Sequence, residues 1–129
     1  MASQTSPVIL LVDDDPLIIR MYQNKLTADG YDVRTAQNGE EALAEVAKEK
    51  PALILLDVMM PQMNGVETLK VLKKEEHTRD IPVIILTNLG DREEDVDNAK
   101  KLGALDYLVK SEISLREISE KVAEIVGKK

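Results

Sequence analysis

The sequence predicts an α/β fold: a doubly wound parallel sheet of five strands, each followed by a helix, (βα)5, in a single domain. Three observations predict it. Short, continuously apolar runs at Val8–Val12 (VILLV), Ala52–Leu56 (ALILL) and Val83–Leu86 (VIIL) read as strands buried on both faces. Stretches with helix start and stop signals lie between them, and strands alternating with helices imply a parallel sheet covered on both sides. The length, 129 residues, suits one domain that buries about two-thirds of its unfolded surface.

The elements follow in order. The first strand is Val8–Val12. Asp15-Pro16 then supplies an N-cap with proline at the first helical position, and Gly30 ends that helix. Tyr31–Ala36 (YDVRTA) alternates polar and apolar residues and reads as an edge strand. Asn38-Gly-Glu-Glu41 opens the second helix as a cap with an acid three residues on. Ala52–Leu56 is the third strand, and a helix from about Asn64 to Glu75 follows. Val83–Leu86 is the fourth strand, and Asp91-Arg-Glu-Glu94 opens its helix. Leu105–Val109 (LDYLV) carries Asp106 in its middle and reads as the other edge. Ser114-Leu-Arg-Glu117 is a capping box for the fifth helix, whose Leu115, Ile118, Val122, Ile125 and Val126 form one apolar stripe for core packing. Strands one, three and four therefore occupy the centre. The five units account for nearly everything from Pro7 to Gly127, a core of about 7–127 within one domain of 1–129.

Composition narrows the function classes. Acids number 24 against 17 lysines and arginines, a net charge of −7. That excess argues against a nucleic-acid backbone or an anionic membrane as main partner. The aromatics are Tyr22, Tyr31 and Tyr107, too few for a base-stacking platform. Without cysteine there are no disulfides, thiolate metal sites or cysteine nucleophiles, and one histidine, His77, cannot form a histidine metal cluster. His77 sits in the polar run Lys73–Asp80 and reads as a solvated loop residue. The absence of a basic leader or a long apolar segment points to a soluble, cytoplasmic protein.

In an open parallel sheet, ligands bind beyond the carboxyl ends of the strands, near the point where strand order reverses. After the first strand come Asp13, Asp14 and Asp15; after the third, Asp57; after the fourth, Thr87; after the fifth, Lys110. Each residue alone has an ordinary structural explanation. Their convergence on one edge is what points to a site for binding or moving a phosphoryl group. Carboxylates about 5 Å apart repel by about 1–3 kcal/mol per pair, so Asp13, Asp14 and Asp57 call for a cation. Oxygen ligands alone suit a hard divalent ion, and Mg²⁺ also organises phosphates. Asp57 can attack phosphorus and carry it as an acyl phosphate. The metal and Lys110 would offset charge on the equatorial oxygens, while Thr87 donates a hydrogen bond.

The motifs ILLVDDDP (Ile9–Pro16), LILLDVMMPQMNG (Leu53–Gly65), VIILTN (Val83–Asn88) and GALDYLVK (Gly103–Lys110) resemble those of response regulator receiver domains in two-component signalling. The resemblance covers essentially the whole chain and rests on the joint spacing of Asp14, Asp57, Thr87 and Lys110. It implies a flavodoxin-like sheet with strand order 2-1-3-4-5, in agreement with the centre and edge strands read above. It implies that Asp57 is the phosphoacceptor, charged by a phosphohistidine of a sensor histidine kinase or phosphotransfer protein. Asp14 would be a direct Mg²⁺ ligand, Asp13 would act through a metal-bound water, and the Met59 carbonyl would supply a further ligand. Thr87 and Lys110 would contact the phosphoryl group, and Tyr107 would be the switch aromatic that turns inward when Thr87 moves. Such a protein catalyses only its own phosphorylation and dephosphorylation, and presents a phosphorylation-dependent surface to a downstream protein target or passes phosphate onward. With both ends of the chain accounted for, the expectation is a stand-alone receiver.

Other residues read as structure: Asp15 as a cap, Pro61 and Gly65 as shapers of the loop after Asp57, Met59, Met60 and Met63 as loop packing, and Asp91–Asp97 as an exposed helix face. Two positions depart from the family pattern. Asn88 stands where a small residue is usual, beside the path to the phosphoryl group. Ser111 stands where proline usually follows the lysine. A cis bond before serine costs about 3 kcal/mol, and Glu117 and Ile118 fall one residue later than usual after the lysine. The Lys110–Ser111 bond is therefore expected to be trans, with Ile113 filling the apolar niche beyond it.

Two rival readings are weaker. A haloacid-dehalogenase-type phosphatase also places an aspartate nucleophile after its first strand, but leaves Asp57 and Tyr107 unexplained and has Pro16 where threonine or valine is usual. A degenerate receiver, which binds without phosphorylation, has no support, because every chemical position is filled.

Overall fold

The computed structural model describes residues 6–57, 65–88 and 93–127. Among these, strands and helices alternate: β1 (Val8–Val12), α1 (Pro16–Ala28), β2 (Asp32–Ala36), α2 (Gly39–Lys48), β3 (Leu53–Asp57), α3 (Gly65–Lys74), β4 (Val83–Thr87), α4 (Glu93–Lys101), β5 (Asp106–Val109) and α5 (Leu115–Val126). The strands are all parallel, in the order β2-β1-β3-β4-β5. The three continuously apolar runs hold the centre, and every residue of β1, β3 and β4 is buried. β2 and β5, the strands with polar residues, form the partly exposed edges. The fold is the flavodoxin-like one expected.

Two apolar layers sandwich the sheet. Leu10, Val12, Ile54, Leu56, Val83 and Ile85 meet α2, α3 and α4 on one side. Ile9, Leu11, Leu53, Leu55, Ile84 and Leu86 meet α1 and α5 on the other. The alternation along each strand is the two-residue period of the β pleat.

The ends of the helices show why the chain turns where it does. Asp15 Oδ1 accepts from the Leu17 amide at 3.0 Å, which makes Asp15 the N-cap of α1. Asn38 Oδ1 accepts from the Glu41 amide, and Glu41 reaches back to the Gln37 amide, one residue before the cap. Ser114 and Glu117 form the complete capping box. Gly30, at φ +102°, lets Tyr31 donate back to Leu26, while its own amide donates to Thr27; this paired closure of α1 requires the left-handed glycine. Tyr31 thereby belongs to the helix end, and β2 begins one residue later than expected, at Asp32. The expected cap at Asp91 lies outside the described residues.

Several boundaries differ from expectation, and two matter for the site. Asp57 and Thr87 are the last residues of β3 and β4, not the first beyond them. Backbone pairing does not stop for a polar side chain: Asp57 pairs with Leu86, and Thr87 with Val109. β3 starts at Leu53, β5 at Asp106, and α3 spans Gly65–Lys74 instead of reaching Glu75. In α5, Ile118 and Val122 are buried and Ile125 and Val126 pack beside them. Leu115, on the first turn, remains 36% exposed and so does not join the core stripe. No helix among the described residues is long and apolar enough to cross a membrane.

Candidate functional site

β1 and β3 are the neighbours at which strand order reverses, and the site stands at their carboxyl ends. The Asp13 amide donates to Ala36 O at 3.1 Å, which carries the β1–β2 ladder one residue past β1 and fixes Asp13 at the sheet edge. The Lys110 amide donates to Thr87 O at 2.8 Å and extends the β4–β5 ladder in the same way. A turn closed by Glu112 N–H to Val109 O at 2.9 Å then redirects the chain toward α5. The described residues contain no cis peptide bond, so Lys110–Ser111 is trans, and Ile113 packs on the layer beneath α1 and α5.

These ladder ends bring the predicted residues together. Asp13, Asp57 and Thr87 are buried, while Asp14 is exposed at the rim. Carboxylate oxygens of Asp13, Asp14 and Asp57 lie within 4.8 Å of one another. The Lys110 side chain, only 6% exposed, places Nζ 2.6 Å from Asp13 Oδ2 and 3.4 Å from Asp57 Oδ2. Burial pulls the Lys110 pKa down, but its contact with Asp13 and the charges of Asp57 and Asp13 outweigh burial and hold it above the ordinary lysine value. Lys110 is therefore a cation at neutral pH.

The donor set fits a hard divalent ion. Three carboxylates share one lysine ammonium among the described residues, and all the side-chain donors of this set are oxygens. Asp13 shows the same need atom by atom. Its Oδ1 accepts from the Asp15 amide at 2.9 Å. Its Oδ2 is buried and lies 2.6 Å from Lys110 Nζ, the one close partner of that oxygen among the described residues. Met59, the expected carbonyl ligand, lies outside the described residues, as do Met60, Pro61 and Met63. Asn88 is exposed next to Thr87, and His77 is exposed in the turn after α3.

Tyr107 stands apart from the acids. On β5 it pairs with Ile85, two residues before the level of Thr87, and its side chain is 41% exposed. Lys100 Nζ of α4 lies 5.0 Å from its ring centroid. Sequence reading did not anticipate this pairing, since nothing local to either residue encodes it. It also treated Tyr22 only as an aromatic, although Tyr22 is a buried polar-tipped side chain one turn before the buried Leu26.

Comparison with known proteins agrees with this geometry. A family model described as "Response regulator receiver domain" matches residues 9–123. The alkaline phosphatase synthesis transcriptional regulatory protein PhoP of Bacillus subtilis (strain 168) is 42% identical over 118 residues, which are 92% of this chain and 48% of PhoP. Response regulator PleD of Caulobacter vibrioides is 44% identical over 102 residues, 79% of this chain and 22% of PleD. The chain thus spans about half the length, or less, of these relatives. Among solved structures, chemotaxis protein CheY4 of Vibrio cholerae superposes with a TM-score of 0.85 at 30% identity, over 94% of this chain and 99% of that one. The (βα)5 order, the acidic carboxyl edge and these matches together place the chain in the response regulator receiver domain family, the phosphoryl-accepting receivers of signalling pathways.

Proposed function

We propose that Asp57 is the residue that accepts the phosphoryl group, from a phosphohistidine of a sensor histidine kinase or phosphotransfer protein, and that residues 1–129 act as one cytoplasmic receiver domain. The observation that carries this is the position of Lys110 Nζ, 2.6 Å from Asp13 and 3.4 Å from Asp57 at the reversal point of the sheet. In transfer, an Asp57 carboxylate oxygen attacks phosphorus. The new O–P bond forms as the N–P bond to the donor imidazole breaks, and the imidazole nitrogen recovers the electron pair. Lys110 offsets charge on the equatorial oxygens, and the Thr87 hydroxyl donates to one of them. Asp13, Asp14 and Asp57, with the Met59 carbonyl, would hold Mg²⁺, which would supply positive charge to offset that of the phosphoryl oxygens. Hydrolysis of the acyl phosphate by water returns Asp57 to its carboxylate. The protein in this reading catalyses only its own phosphorylation and dephosphorylation, and its product is a changed surface for a downstream protein target.

Incubation with acetyl phosphate and Mg²⁺ tests the assignment. The expected result is one phosphate per chain, acid-stable and base-labile, absent from Asp57→Asn. Equal labelling of that variant would overturn it.

A further inference from the structure

A groove runs between the C-terminal halves of α2 and α3, toward the amino edge of the sheet and away from the acidic site. Leu43, Val46 and Ala47 of α2 face Val71 and Leu72 of α3 across a cavity of ≈ 230 Å³. Short side chains at Ala47 and Val71 leave room that a leucine would fill, and the buried Val46 and Leu72 form the floor. Folded interiors are close-packed, with few voids larger than a water molecule. Apolar walls offer water in such a space no hydrogen bonds, so a ligand that displaces it gains affinity. An apolar cavity of ~150 Å³ takes benzene, and this one has room for a ring with a short arm.

The mouth of the groove sets the charge of that arm. Glu75, the residue after α3, and His77 stand exposed there. Other acids at this end of the molecule are paired: Glu45 with Lys48 at 3.2 Å, and Glu49 with Arg34 at 3.0 Å. The Glu75 carboxylate has no ion pair or hydrogen bond among the described residues. Lys74 precedes it in the chain, but successive residues of a helix do not face each other. Lys73 is engaged by Arg79 O and Ile81 O, both at 2.9 Å. Thr78 also lines the groove, and its hydroxyl donates to Leu72 O at 2.7 Å. The C-terminal ends of both helices add partial negative charge. An apolar cleft with an unpaired carboxylate at its rim is complementary to a positive group on an apolar body.

We propose that this groove binds a small amphipathic cation, an aryl- or alkylammonium whose apolar body fills the space between α2 and α3 and whose ammonium pairs with Glu75. The site does not involve Asp57 and stands apart from the phosphoacceptor reading. Benzylammonium is the probe, with benzyl alcohol and benzoate as matched rings, titrated into the full chain at about pH 8, above the ordinary histidine range. Methyl resonances of Leu43, Val46, Val71 and Leu72 are expected to shift saturably with benzylammonium. Benzyl alcohol is expected to bind about fivefold more weakly, the scale of one exposed ion pair, and benzoate more weakly still. Glu75→Gln, at an exposed position, is expected to bring benzylammonium to the level of benzyl alcohol and to leave benzyl alcohol unchanged. Ala47→Phe, also at an exposed position, is expected to fill the groove and remove binding while melting stays unchanged. Absence of a saturable shift, benzoate binding as well as benzylammonium, or Glu75→Gln behaving as the wild type would each overturn the proposal. Binding that survives Ala47→Phe would place the probe elsewhere and overturn it too. So would shifts of the same methyls when the chain is concentrated without probe, which would make a second copy the occupant.

Discussion

Lys100 Nζ of α4 rests 5.0 Å from the centroid of the Tyr107 ring on β5, a ring that is 41% exposed. An exposed cation–π contact contributes about 0.5–1 kcal/mol. Removing it in Lys100→Ala is expected to raise any inward population of Tyr107 about two- to fivefold, read from the ring resonances of labelled tyrosine. On phosphorylation, chemical-shift changes are expected to extend from Asp57 through Tyr107 to residues near Lys100, on the face of α4, β5 and α5. Changes confined to the loops around Asp57 would remove Tyr107 as a switch, because coupling requires a state that phosphorylation favours and not proximity alone.

Magnesium is expected to raise the melting temperature. At tenfold excess over its dissociation constant, a single-site ligand stabilises the fold by about 1.4 kcal/mol. Asp14 is the exposed member of the acidic set, so Asp14→Ala removes a proposed ligand without opening the core. A much smaller rise is expected in that variant by calorimetry, and an identical rise in both would count against Asp14 as a ligand.

Lys110 ties the site to stability. Lys110→Met leaves Asp13 buried without its cation, which costs about 3 kcal/mol when one partner of a buried pair is removed. Adding Asp13→Asn is expected to restore a large part of that loss, in a double-mutant cycle followed by urea melts. Because the folded pKa of Lys110 lies above its ordinary value, the pair stabilises fully below the unfolded lysine value of about 10.4. That contribution declines as pH rises through the higher, folded value. Loss of stability in the wild type that tracks Lys110→Met at every alkaline pH would contradict it.

Gly103 closes α4. It has φ +112°, its amide donates to Lys100 O, and the Ala104 amide donates to Ala99 O. A Cβ at that position would meet the Lys73 chain at 3.4–3.6 Å. Lys73 in turn donates to Arg79 O and Ile81 O, both at 2.9 Å, and burial lowers its pKa. Gly103→Ala is expected to cost about 1–2 kcal/mol from the left-handed backbone. Gly127→Ala, also at positive φ with nothing within 4 Å, isolates the backbone part. Unchanged melting of Gly103→Ala would show that this turn relaxes.

The five units, their central and edge strands, the caps at Asp15, Asn38 and Ser114, and the polar residues at the ends of four strands are all legible along the chain. These are local facts: burial on both faces requires an unbroken apolar run such as VILLV, and a cap is a contact between residues two or three apart. The spacing of Asp14, Asp57, Thr87 and Lys110 pointed to the family for the same reason, since each motif is contiguous. How the groups meet depends on packing between elements. Lys110 lies closer to Asp13 than to Asp57, Lys100 Nζ sits 5.0 Å from the Tyr107 ring centroid, and Tyr22 of α1 packs in one layer with Ile118 of α5. Each of these joins different elements, and sheet register with helix placement sets the distance to within an ångström. No periodicity along the chain carries that quantity, because it arises from ladders between strands far apart in sequence.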